Sequence, residues 1–448
     1  MKTIYANGRS EYEFLNEMKK RAGAISLSVS EAVLGIIGAV REKGDEAVRS
    51  FSLQFDGAAP ECFEVPAEEL KQAYDNMEEP LKRALLHAKE NITAYHEKQV
   101  AQGYEIRKEK GVVLGQTVRG LSRVGIYVPG GTAAYPSTVL MNAIPAKIAG
   151  VEEIVMVTPP VTEKNGDSRS KSSGGICGEG SVNCRANPDL LGAAYLAGVD
   201  RVFLVGGAQA IAALAYGTES IPAVDKIVGP GNIYVATAKK LLFGQVDIDM
   251  IAGPSEILVL ADEEANPAYI AADLMSQAEH DPMASAVLLT TSERIAAETE
   301  KEIEVQIRRL ERSEIIKKSL ADFGAAIICK DTEEMIRLAN LIAPEHLELL
   351  LKDPMRHLPR IKNAGSVFCG EYAPEPLGDY LSGTNHVLPT SGTARFASPL
   401  GVDSFVKKMS YTYYTKEALE EDGEDIIAIA EKEGLGAHAN SIKVRFGK

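Results

Sequence analysis

The 448-residue chain carries 48 Lys and Arg against 63 Asp and Glu, a net charge of -15, and 45% of it is hydrophobic. Such an acidic chain lacks the basic face that nucleic acid or an anionic membrane requires, which leaves small-molecule chemistry as the expected trade. Its length predicts about two to four domains at roughly 150 residues each. No apolar core marks the first 23 residues as an export signal and no run of eighteen apolar residues occurs, so a cytoplasmic location is the default expectation.

From residue 1 to about 110 the chain is rich in Glu, Lys, Leu and Ala. The spacing of Leu81, Ala84, Leu85, Ala88 and Ile92 predicts a helical arm. From about 123 the character changes to short Val/Ile runs closed by Gly or Pro: 125–131, 154–160, 202–207 and 227–231. Helical stretches at 188–197, 208–216 and 232–243 separate them, the alternation of a doubly wound parallel sheet. Residues 163–187, rich in Ser, Gly and Lys, read as a mobile insertion. A second set begins with the strand 256–261. A helix follows, with Asn266 as its N-cap, Pro267 in its first turn and Ile270, Leu274 and Ala278 on one face, and Asp281-Pro282 ends it. Strands at 286–290 and 325–329 continue the pattern, and a charged helical tail starts near 401. The predicted fold class is therefore α/β, two Rossmann-like doubly wound modules with a helical N-terminal arm and a small C-terminal helical tail.

Five cysteines at scattered spacing do not form a disulfide framework. Cys329 and Cys369 end apolar runs and read as buried thiols, while Cys177 and Cys184 fall in the insertion.

The polar residues of the C-terminal half are the candidates for chemistry. Gln277 and His280, at i and i+3 on one helix end, can reach a common ion, or can simply cap the helix. Asp379 after Pro-Glu-Pro-Leu-Gly is either a ligand or a turn former, and His438 either a ligand or an exposed tail residue. Glu345-His346 stands at a helix-to-strand junction, where adjacent titratable groups can take separate proton-transfer roles or lie at the surface. The turns Val205-Gly-Gly-Ala-Gln209 and Val228-Gly-Pro-Gly-Asn232 follow strands and precede helices, places suited to phosphate, yet neither carries GxGxxG. The polar segment 383–395 offers His386 and Arg395 as an active-site loop or a surface loop.

These segments, in order, resemble histidinol dehydrogenase over nearly the whole chain: YVPGG at Tyr127, VGGAQAIAALAYGTE from Val205, VDKIVGPGN ending at Asn232, AGPSE at Ala252, SQAEH at Ser276, APEHLE at Ala343, NAGSVF at Asn363, LGDYLSGTNHVLPTSGTARF from Leu377 and EGLGAH at Glu433. The resemblance implies the final step of histidine biosynthesis, the four-electron oxidation of L-histidinol by NAD. It implies one Zn2+ per subunit held by Gln277, His280, Asp379 and His438. Substrate contacts are implied at Ser255, Gln277, His280, His346, Asp379, Glu433 and His438, and dinucleotide contacts at Tyr127, Gln209 and Asn232. By the same resemblance His346 is the general base, Glu345 activates the water that attacks the aldehyde, and a homodimer completes each site with the partner's tail. The expected division is an arm (1–24), a main α/β domain with the metal site (25–126 plus 257–400), an inserted dinucleotide-binding domain (127–256) and a tail (401–448). The 163–187 insertion is a departure from the shorter members. A sister dehydrogenase for another small alcohol and a non-catalytic regulator are the competing readings; His346 with Glu433 argues against the first, and the joint presence of Glu345, His346 and four ligands against the second.

Overall fold

Glu256–Ala261 and Ser285–Thr290 are buried at every residue, the mark of parallel strands covered on both faces. A computed structural model of the chain describes residues 1–22, 27–130, 135–161 and 184–447. Among them run fifteen strands: β1 (Lys2–Tyr5), β2 (Glu64–Val65), β3 (Tyr104–Arg107), β4 (Val113–Gly120), β5 (Arg123–Tyr127), β6 (Glu153–Thr158), β7 (Arg201–Leu204), β8 (Lys226–Val228), β9 (Asp247–Ile248), β10 (Glu256–Ala261), β11 (Ser285–Thr290), β12 (Gly324–Ile328), β13 (His346–Leu350), β14 (Ser366–Cys369) and β15 (Val406–Tyr413). The first large sheet has the order β1-β12-β11-β10-β13-β14, parallel throughout. The second has the order β2-β7-β6-β5-β8-β9, parallel except where β2 meets β7.

Strand alternation feeds a separate core on each face of each sheet. In β10, Ile257, Val259 and Ala261 join one cluster and Leu258 and Leu260 the other. In β6, Ile154 and Met156 face one side of the second sheet, Val155 and Val157 the opposite side. The helix Pro267–Ala278 starts as its sequence dictates: the Asn266 side chain accepts from Ala268 N at 3.0 Å, and Ile270, Leu274 and Ala278 are buried.

Three features depart from the sequence expectations. The N-terminal arm begins with an edge strand, β1, whose four residues are too few to show a periodicity. The tail carries β15, which pairs antiparallel with β4 in a three-stranded sheet completed by β3; its Val406, Tyr411, Thr412 and Tyr413 are strand formers. The segments also sort differently from the expected division. Strands β2 and β5 lie in the second sheet, and the helices Leu27–Lys43 and Asp45–Phe55 pack on that sheet's Gly207–Tyr216 helix. The helices of 27–96 and strand β5 therefore follow the second sheet rather than 257–400, because their apolar faces have their partners there, while β3 and β4 pair with the tail.

Cys329 is buried, Cys369 only partly so, and Cys62 is exposed. Most of the 163–187 insertion, with Cys177, lies outside the described residues. At its base Val161 and Arg185 exchange backbone hydrogen bonds of 2.8 and 3.1 Å, and Cys184 is buried.

Candidate active site

The polar residues gather at the N-terminal ends of the first sheet's central strands, not at the carboxyl ends where open α/β sheets usually bind ligands. Glu256 opens β10 and His346 opens β13, side by side. The Pro267–Ala278 helix runs back against these strands, so its last turn delivers Gln277 and His280 to the same edge. A short helix, Glu375–Tyr380, brings Glu375 and Asp379 across.

His346 is the hub. Its Nδ1 donates to the Glu256 backbone carbonyl at 3.0 Å, which fixes the tautomer: in the neutral ring Nε2 holds the lone pair. Nε2 is 3.7 Å from both Glu375 Oε1 and Asp379 Oδ1. Glu345 lies on the opposite side of the ring, Oε2 3.7 Å from Nδ1, and that oxygen accepts the Glu256 N–H at 2.9 Å. Beyond them His386 Nδ1 donates to the Asp379 carbonyl at 3.0 Å, and the Gln277 amide meets His280 Nδ1 at 2.8 Å.

Electrostatics show what the cluster lacks. Burial opposes charge on His346, but the Glu345, Asp379 and Glu375 carboxylates overcome it and raise the imidazole to about 10. Burial raises Glu345 to about 7 against the pull of His346. Burial and the neighbouring Asp379 raise Glu375 to about 8. Burial works against the Asp379 carboxylate too, yet its contact with His346 prevails and holds it down at about 2. His280 is lowered by burial despite the nearby Asp379. The site is short of positive charge, which a divalent cation would supply. The side chains agree: Gln277 Oε1, His346 Nε2 and Glu375 Oε1 are buried with no hydrogen-bond partner among the described residues. His346, Glu375 and Asp379 place ligand atoms within 4.8 Å of one another. Oxygen and nitrogen donors without thiolate fit Zn2+.

A second group lies at the C-terminal ends of the second sheet. Tyr127 ends β5, and its hydroxyl accepts the Gly207 N–H at 3.2 Å beside Gln209, whose Oε1 is buried and unpaired among the described residues. Gly229 has φ +107°, and a Cβ there would lie 2.1 Å from the Tyr127 carbonyl, so only glycine fits. Lys239 Nζ donates to Gly229 O at 2.9 Å and to Asp249, while Asp249 Oδ2 accepts the Gly229 N–H at 2.8 Å. Asn232 is exposed, and its side chain caps the following helix by accepting from Tyr234 N and Val235 N.

The structure thus brings Gln277, His280, Glu345, His346 and Asp379 together, with Ser255 next to Glu256, and separately Tyr127 and Gln209, while Asn232 caps the helix after the Gly229 turn. Glu433 and His438 stay apart, exposed on the tail helices. Sequence reasoning passed over Glu256, Glu375, Lys239 and Asp249. Glu375 had a signal, its i, i+4 spacing to Asp379, masked by the prolines around it.

A family model described as histidinol dehydrogenase matches residues 19–446. The chain belongs to the histidinol dehydrogenase family. The histidinol dehydrogenase of Clostridium acetobutylicum is 54% identical over 97% of this chain and 96% of its own. That of Bacillus cereus is 52% identical over 100% of this chain and 99% of its own. A crystal structure of histidinol dehydrogenase from Elizabethkingia anophelis superposes with a TM-score of 0.88 at 36% identity, covering 100% of this chain and 98% of that one. No helix among the described residues is long and apolar enough to cross a membrane.

Proposed function

We propose that the chain oxidises L-histidinol to L-histidine with two NAD per turnover in the cytoplasm, at a Zn2+ site of Gln277, His280 and Asp379 completed by His438 from the partner of a homodimer. The observation that carries this is the carboxylate-rich cluster around His346, with buried, unpartnered atoms of Gln277, His346 and Glu375 among the described residues.

When bound, the metal polarises and orients the substrate's oxygen and nitrogen, and the nicotinamide takes up hydride. The chain's residues move the protons. The unbalanced carboxylates keep the His346 ring protonated; with their charge offset the ring is neutral, and its Nε2, left as the lone-pair nitrogen by the Glu256 carbonyl, takes the hydroxyl proton as the carbinol hydrogen leaves as hydride, giving the aldehyde and NADH. Glu345 removes a proton from the water that adds to the aldehyde; its position beside Nδ1 keeps it clear of the base nitrogen. His346, having passed its first proton to solvent, then takes the remaining hydroxyl proton of the hydrate anion while a second hydride departs to a second NAD, leaving the carboxylate. Ser255, Glu433 and His346 hold the substrate, and Tyr127, Gln209 and Asn232 the dinucleotide, where the glycine turns let backbone approach closely.

Exposure of Glu433 and His438 on a tail anchored by β15 supports completion of the site by a second copy. Incubation of zinc-loaded enzyme with limiting histidinol should yield two NADH per histidinol; one NADH identifies a simple alcohol dehydrogenase, and none a binding protein. Co-expressed Glu345→Gln and His438→Ala chains should regain about a quarter of wild-type activity, since half the dimers carry one intact site of two. No recovery above either inactive parent places the tail in its own subunit's site.

A further inference from the structure

Asp273, Glu348 and Glu375 are three carboxyl groups 9%, 0% and 1% exposed, and the proton transfers above use none of them. Asp273 stands one turn before Gln277 on the Pro267–Ala278 helix, on the side turned to the sheet. Glu348 is two residues beyond His346 on β13, so both side chains leave the strand on the same face. Glu348 Oε1 accepts the Glu375 N–H at 2.8 Å, a group that the first turn of the Glu375–Tyr380 helix leaves without a helical partner. Glu348 Oε2 is buried and receives no N–H or O–H from another residue among those described. It faces the carboxyl of Asp273. Two buried carboxylates at contact repel, whereas one shared proton makes the contact a charge-assisted hydrogen bond. Ser276 Oγ adds a bond of 3.2 Å to Glu375 Oε2 from the same helix.

We infer that Asp273 and Glu348 form a proton-sharing carboxyl pair that ties the Pro267–Ala278 helix to the Glu375–Tyr380 helix beneath the metal site, and so act as positioning residues for Gln277, His280 and Asp379. The two helices carry ligands to one ion from opposite sides, and the pair is the connection between them that passes through the strand of His346. This inference rests on the metal reading of the site.

The test compares zinc retention in the full-length enzyme and in Glu348→Gln, Glu348→Leu and Asp273→Ala variants, by competition with a chromogenic chelator, with KM and kcat for histidinol measured alongside. In Glu348→Gln the amide accepts from Glu375 N–H and donates to Asp273, so zinc retention should stay within about threefold of wild type. Glu348→Leu removes both bonds and should lose zinc about 10- to 100-fold more readily, with KM for NAD unchanged. Asp273→Ala keeps the bond to Glu375 and should fall between, and it stands in for Glu348→Leu if that variant does not fold. Wild-type zinc retention in a folded Glu348→Leu or Asp273→Ala protein overturns the inference. A wild-type enzyme that holds no zinc instead overturns the metal reading on which it rests.

Discussion

At the N-terminal ends of the first sheet the site is built from side chains; at the C-terminal ends of the second it is built from backbone. The first group is a knot of carboxyl and imidazole groups whose charges are unbalanced. The second is a pair of glycine turns, Gly206-Gly207 and Gly229-Pro230-Gly231, locked by Lys239 and Asp249 with Tyr127 alongside. The difference suits the ligands proposed for each. A metal and a proton-transfer centre need particular donor atoms, while a pyrophosphate needs N–H groups and room to approach them.

That contrast breaks down if donor loss in the first region is mild. His280→Ala should abolish zinc binding and lower kcat/KM by more than about 1,000-fold, read by metal content and initial rates. Glu345→Gln should slow histidinal oxidation about 100- to 10,000-fold and histidinol oxidation less than tenfold. Equal loss in the two half-reactions removes Glu345 from the water step. Because burial raises Glu345 to about 7 and the base form is the carboxylate, wild-type aldehyde oxidation should rise with pH through that region, and the variant should lose this limb. In the second region a single methyl should matter. Gly229→Ala forces a Cβ against the Tyr127 carbonyl at positive φ, costs about 1–3 kcal/mol of stability and raises KM for NAD, with zinc content unchanged. Asn232→Ala should be smallest, about 1 kcal/mol from the lost cap, measured by thermal unfolding.

Legibility differed between the regions as well. Gln277 with His280, and Glu345 with His346, were readable because each pair sits on one helix turn or one junction, yet spacing left each with an ordinary structural alternative, and the family resemblance supplied the assignment. Glu256 escaped notice because its contribution to His346 is a backbone carbonyl, which any residue has. Lys239 and Asp249 escaped because their partner is the backbone of Gly229, ten residues from one and twenty from the other. The two parallel sheets were legible from apolar runs closed by Gly or Pro. Strands β1 and β15 were not, since a four-residue edge and a strand exposed at nearly every position leave no apolar period to read.

Strand β1 carries a consequence for how the protein is made. Its partner, β12, begins at Gly324, so β1 finds its place only after more than three hundred further residues have followed. At about 5–20 residues per second that interval is roughly 15 to 65 s, during which the second sheet can close while the first still lacks its outer strand. Docking of β1 is then a late step in the assembly of the first sheet, and a bulky tag fused ahead of Met1 loads that step rather than the chemistry.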